Sequence, residues 1–109
     1  MIRVAVLCNQ KGQYVGFECK GHAGYADSGE DIVCAGVSAL VINTINAIAR
    51  FTDEKLSTDT EEATGRIAAR FHQPAGHDAE LLMKTLVMGL QGIQEQYGAT
   101  YITINFKEV

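Results

Sequence analysis

His22, Asp31 and Cys34 fall within the run "KGHAGYADSGEDIVCAGVSAL", Lys20 to Leu40, which also holds Asp27 and Glu30. A cysteine is a nucleophile only as its thiolate, and an unperturbed pKa of about 8.5 leaves a small fraction ionised at neutral pH. A helix start lowers that pKa, because unpaired amides and the helix dipole favour negative charge there. The glycine-studded loop gives way after Asp31 to a long uncharged segment. Cys34 therefore lies in the first turns of a helix. Either Ser28 is the N-cap, with Asp31 three residues on in a capping-box-like pattern, or Asp31 caps and Cys34 is the third helical residue. Both suit a nucleophile.

His22 offers the base that a thiol needs within hydrogen-bond reach. Asp31, or in second place Asp27, could orient its imidazole and stabilise the cation. Amides from Val33 to Ala35 could form an oxyanion site. Gly21, Gly24 and Gly29 give the intervening loop low intrinsic order, which fits a flap that admits substrate and then excludes water. The competing reading makes Cys34 a buried small residue and His22 an ordinary loop histidine, because a His-x11-Cys spacing is not specific. A metal site would need His72 or His77 beside His22 and Cys34, and a turn before a helix already explains "HQPAGH". No metal or cofactor is implied.

These residues must be held by elements that periodicity predicts. Residues 2–8 alternate, with Ile2, Val4, Val6 and Cys8 on one face, and residues 13–20 place Val15, Phe17 and Cys19 likewise. A two-residue turn at Lys11-Gly12 would pair Cys8 with Val15, Val6 with Phe17 and Val4 with Cys19. That register separates Cys8 from Cys19 by ~13 Å of strand rise, too far for a disulfide. Both read as small core residues. A helix from about Asp31 to Phe51 follows, then two strands, "KLSTDT" and "ATGRIAARF", around Glu61-Glu62. A second helix runs from about Asp78, with Leu82, Met83, Leu86, Leu90, Ile93 and Tyr97 at helical spacing, and Gly98 stops it. The last strand, "TYITINF", turns Ile102, Ile104 and Phe106 inward. The order ββαββαβ predicts an α+β domain over residues 1–109, with two helices on one face of a mainly antiparallel five-stranded sheet.

Composition narrows the function. A net charge of −4 argues against a nucleic-acid-coating module and suits a basic partner. Three cysteines without a CxxC pair suggest neither a disulfide framework nor a zinc knuckle, and the start lacks a signal-peptide core, so the reading is cytoplasmic. Ile32 to Ala49 carries no charge and nears the length of a membrane span, but Ser38, Asn43, Thr44 and Asn46 interrupt it. A buried helix is the preferred reading, with no membrane role. Being apolar nearly all round, that helix needs more cover than one sheet face gives, which points to a homodimer.

"GHAGYADSGEDIVCAGVS" resembles the signature of the ribosomal-processing cysteine protease family, Prp. Gly21-His22-Ala23 and Asp31-Ile32-Val33-Cys34-Ala35 are its two halves, with Ser38 following. The resemblance implies Cys34 as nucleophile, His22 as its base and Asp31 in support. It also implies a homodimer of α+β subunits, with the 21–31 loop moving to accept substrate. Gly21, Ala23, Gly24, Tyr25 and Ser38 are the candidate substrate contacts, Tyr25 reading equally as a rim residue or a loop anchor. The implied substrate is the large-subunit ribosomal protein L-twenty-seven bearing a short N-terminal extension, cut after paired aromatic residues. Two rivals stand beside this. A noncatalytic ribosome-associated binding module would not need the Cys34 thiol. A thiol redox sensor would react at Cys34 without His22, though no second cysteine is obviously placed to resolve a sulfenic acid.

Overall fold

Alternation along the first two apolar runs becomes an antiparallel hairpin of β1 (Ile2–Cys8) and β2 (Tyr14–Lys20). The computed structural model describes residues 1–27 and 30–109; Ser28, the alternative N-cap, and Gly29 lie outside the described residues. Then come α1 (Ile32–Phe51), β3 (Leu56–Glu61), β4 (Arg66–Phe71), α2 (His77–Tyr97) and β5 (Ile102–Glu108), the expected order. The sheet runs β3-β4-β2-β1-β5, antiparallel except where β5 pairs in parallel with β1.

Val4 faces Cys19 and Val6 faces Phe17, as the alternation predicts. The expected pairing of Cys8 with Val15 is corrected: Cys8 lies opposite Tyr14, across a register shift after Leu7. The turn is the cause. Asn9 N–H donates to the Gln13 carbonyl and Gly12 N–H to the Asn9 carbonyl, closing a three-residue loop in place of a two-residue one. Gly12 takes a φ of 77°, the left-handed geometry that such a loop needs at its last residue. The Asn9 side chain holds it by accepting from Lys11 and Gln13 N–H. The extra residue is absorbed as a bulge in β2.

One side of the sheet carries the core. Val4, Val6, Phe17, Ala69 and Ile102 join Val33, Val37, Val41 and Ile48 of α1 and Met83, Leu86 and Leu90 of α2 in a single buried cluster. Inward orientation of the last strand is corrected at its end. Ile102 is buried and Ile104 half-buried, but Phe106 is 57% exposed, because β5 is an edge strand and the helical cover does not reach that far. α1 is long and apolar enough to cross a membrane by length and composition. Here a stripe of Val33, Val37, Val41, Thr44 and Ile48 packs inward, and Thr44 Oγ1 satisfies itself on the Leu40 carbonyl at 2.7 Å. Ile32, Ile42 and Phe51 stay exposed, so the single chain covers one stripe of the helix and not its whole girth.

Met83 is fully buried where α2 crosses the sheet. Met83→Ala removes those contacts and leaves a cavity, so urea denaturation is expected to show a loss of about 2–5 kcal/mol. An unchanged m value would confirm that the native fold is retained.

Candidate active site

The helix start is built by one carboxylate. Asp31 is the N-cap of α1, in extended geometry, and its Oδ1 accepts from Val33 and Cys34 N–H, each at 3.0 Å. Its Oδ2 accepts from Tyr25 N–H at 3.0 Å and Ala26 N–H at 3.4 Å. Asp31 thus ties the loop to the helix, and among the described residues its carboxylate makes no hydrogen bond to His22. Burial pushes the Asp31 carboxyl up, but the N–H donors from Cys34, Tyr25 and Ala26 outweigh that and hold it below the ordinary value. Ala35 N–H donates to the Asp31 carbonyl. The three amides expected to form an oxyanion site are therefore already engaged.

Cys34 is the third residue of α1 and half-buried. Ala23 N–H donates to its Sγ at 3.2 Å. The expectation of a lowered thiol pKa does not hold in this geometry. Burial pushes the Cys34 thiol up, the Ala23 N–H pulls against it, and the Asp31 charge and hydrogen bond push it further up. The helix-start amides that would favour a thiolate are neutralised by Asp31 before they reach the sulfur.

His22 and Cys34 line the same two cavities. One, of about 330 Å³, runs between α1 and the turn joining β3 to β4, over an apolar floor of Ile2, Val37, Val41 and Ile67. The other, of about 440 Å³, opens on the loop side, with Gly24, Ala26 and Asp31. Among the described residues no hydrogen bond joins the His22 ring to Cys34; the ring lies against the β3–β4 turn. Gly65 there has a φ of 63°, and a Cβ on it would sit 3.0 Å from His22 Cε1 and 2.7 Å from the Gly21 carbonyl oxygen. Only glycine lets this turn pack against the imidazole.

The remaining candidates divide between cleft and anchor. Gly21 lines the first cavity and fastens the strand end to the turn, its N–H donating to Thr64 O. Gly24 lines the second, and Ser38, one turn after Cys34, lines both. Ala23 is buried and acts through its amide. Asp27 lines neither cavity; its carbonyl accepts from Glu30 N–H. Tyr25 is an anchor: its ring meets Tyr97 and Tyr101 edge-on, with centroids 5.5 and 5.2 Å away. Sequence reasoning missed Thr60, Glu61, Glu62 and Ile67 as cleft walls. Pairing β2 with β4 would have found Ile67, since it sits opposite Cys19.

A sequence model of the family described as cysteine protease Prp matches residues 1–103. The ribosomal processing cysteine protease Prp of Staphylococcus aureus is 33% identical over 107 residues, spanning 98% of this chain and 100% of that protein. Its Bacillus subtilis namesake is 30% identical over 101 residues, spanning 89% and 90%. A crystal structure of the S. aureus protease with a covalently linked product peptide superposes with a TM-score of 0.91 at 33% identity, over 98% of this chain and all of that one. A second, with a substrate peptide, gives 0.86 at 32% identity over the same shares.

The raised Cys34 thiol has a direct readout in the ligand-free protein. Its alkylation by iodoacetamide is expected to keep accelerating with pH beyond the ordinary thiol range. Asp31→Asn removes a negative charge beside the sulfur while keeping a capping oxygen, and is expected to move that profile to lower pH. A profile that levels off below pH 8 in the unaltered protein would contradict the assignment.

Proposed function

The chain belongs to the cysteine protease Prp family, and on that premise we propose that it removes the short N-terminal extension of the large-subunit ribosomal protein L-twenty-seven, cutting after paired aromatic residues. It is a cysteine-type endopeptidase. The observation that carries the finer reading is the shared cleft: thiol and imidazole on its walls, and an apolar floor beneath them. Its volume of about 330 Å³ sits at the low end of the ~300–1,000 Å³ of small-molecule pockets. Such a space suits one aromatic side chain better than an extended ligand.

In this reading His22 swings from the β3–β4 turn onto Cys34 and takes the Sγ proton. Hydrogen bonds of this kind are often long before substrate binds. The thiolate attacks the carbonyl carbon of the second aromatic residue. The tetrahedral oxyanion collapses, the C–N bond breaks, and the imidazolium protonates the departing amine. Water, deprotonated by His22, then hydrolyses the thioester and frees Cys34. Asp31 supports the pair indirectly by fixing Cys34 and the loop, and Gly21, Gly24 and Ser38 border the path of the peptide. The acidic chain and the exposed Glu61 and Glu62 at the cleft favour a basic protein as substrate. Direct nucleic-acid binding is not part of this reading, and the cytosol is its compartment.

Incubation with the extended precursor is expected to give a single cut after the paired aromatics, located by mass spectrometry. Cys34→Ala and His22→Ala are each expected to lower kcat/KM by about a thousandfold or more. A precursor that is bound but left whole would turn the reading toward a binding module.

A homodimer completes the proposal. Ile42 on α1 and Leu81 and Met88 on α2 are large apolar residues exposed on the helical layer, a surface that a second copy would cover. Sedimentation equilibrium is expected to give twice the 11.8 kDa chain mass. Met88→Glu is expected to shift the equilibrium toward the single chain; a wild-type monomer at all concentrations would refute the dimer.

A further inference from the structure

The proteolytic cycle leaves Cys19 without a part. Its side chain is 5% exposed on the helix-facing side of β2, flanked across the sheet by Val4 and Ile67. It lies on the wall of the cleft that Cys34 and His22 line. Cys34 in turn packs against the core cluster that contains Cys19, and both are free thiols. They lie fifteen positions apart in the chain, and nothing in that spacing suggests a pair. The fold makes one by placing both on the wall of the same cleft.

We propose that Cys19 is a resolving thiol for Cys34, so that a hydroperoxide drives the two into a reversible disulfide that switches the enzyme off. The inference rests on the reading of Cys34 as the reactive thiol. Cys34 thiolate attacks the peroxide oxygen; the O–O bond breaks, an alkoxide or hydroxide leaves, and the sulfur is oxidised by two electrons to a sulfenic acid. Cys19 Sγ then attacks that sulfur. The S–S bond forms as the S–O bond breaks, and the hydroxyl departs with the Cys19 proton as water. In sum, two thiols and one hydroperoxide give a disulfide, an alcohol and water.

The resting chemistry of Cys19 fits a residue that waits. Burial, with the nearby Cys34 adding to it, pushes its thiol up to about 11, so at neutral pH it does not compete for peroxide. It reacts once Cys34 has become electrophilic, and does so faster as pH rises. Without it, the sulfenic acid is open to a second oxidation, to the sulfinic acid, which thiol reductants do not reverse. Buried in the cleft wall, Cys19 meets the oxidised sulfur with little competing water.

The test uses the full chain carrying Cys8→Ser, which removes the third thiol. The protein is treated with hydrogen peroxide, alkylated and digested, and the peptides are mapped by mass spectrometry. A Cys19–Cys34 crosslinked peptide is expected, with peptidase activity lost in parallel and restored by dithiothreitol. Adding Cys19→Val is expected to divert Cys34 to the sulfinic acid and to abolish recovery. A disulfide closes only with Cα atoms within ~7 Å, so the crosslinked peptide is itself a geometric measurement and does not depend on the variant folding. Sulfinic acid at Cys34 in the Cys19-containing protein, or an inert Cys34, would overturn the proposal. So would a two-hydrogen loss that survives Cys19→Val, since that places the bond on another partner such as the Ala23 amide. An untreated protein that cleaves nothing counts against the protease reading alone, because the crosslink is read without activity.

Discussion

The site depends on how one carboxylate distributes its lone pairs. Asp31 gives one oxygen to the first amides of α1 and the other to the loop at Tyr25 and Ala26. The first pair sets where the helix begins, and so where Cys34 points. The second pair fixes the loop that carries His22 and Ala23 toward the same cleft. An uncapped start would leave several amides seeking partners and would fray Cys34 along with them. Tyr25, wedged edge-on against Tyr97 and Tyr101, holds the loop from its other side. Cys34 is thus fixed by a helix and His22 by a strand end, and a single residue couples the two.

That arrangement has a consequence for reactivity. A helix N-terminus activates a thiol when its amides face the sulfur unopposed. Here burial pushes the thiol up and the negative charge of the cap at the same spot adds to it, so Cys34 rests as a thiol. The Ala23 amide is the counterweight, since it donates directly to Sγ. On the proposed mechanism, activation comes from the imidazole and not from the helix. On that proposal the protease is quiet until His22 reaches the sulfur. In the structure the ring rests against the β3–β4 turn, where a Cβ on Gly65 would come within 3.0 Å of His22 Cε1.

Much of this was legible in the chain. Alternation in residues 2–8 and 13–20 points to the hairpin, and the helical spacing of the apolar residues in α2 points to its face, because those patterns report burial directly. Asp31 as a cap is one of two alternatives the sequence offers, and the 21–34 signature marks the loop. Three features were not legible. The bulge opposite Cys8 follows from a three-residue turn that Asn9 and Gly12 select, a choice that apolar alternation does not encode. The exposure of Phe106 depends on where a helix stops covering an edge strand. The cleft wall formed by Thr60 to Ile67 depends on β2 pairing with β4, a contact between residues some fifty apart that no local pattern announces.

The same long-range pairing explains why Cys19 reads differently in sequence and in structure. As a strand residue facing inward it is a small core side chain, and its burial bears that out. The cavity changes its meaning. A core thiol beside packed methyl groups is inert, whereas a core thiol on the wall of a reactive cysteine's cleft has a chemical neighbour. Valine would fill the position with similar volume and no polar atom, so packing alone does not call for sulfur there. Burial keeps the thiol protonated, so on the proposed mechanism it sits beside Cys34 without competing for the scissile carbonyl. Hydrophobic position and chemical reserve are compatible at this residue because protonation separates them.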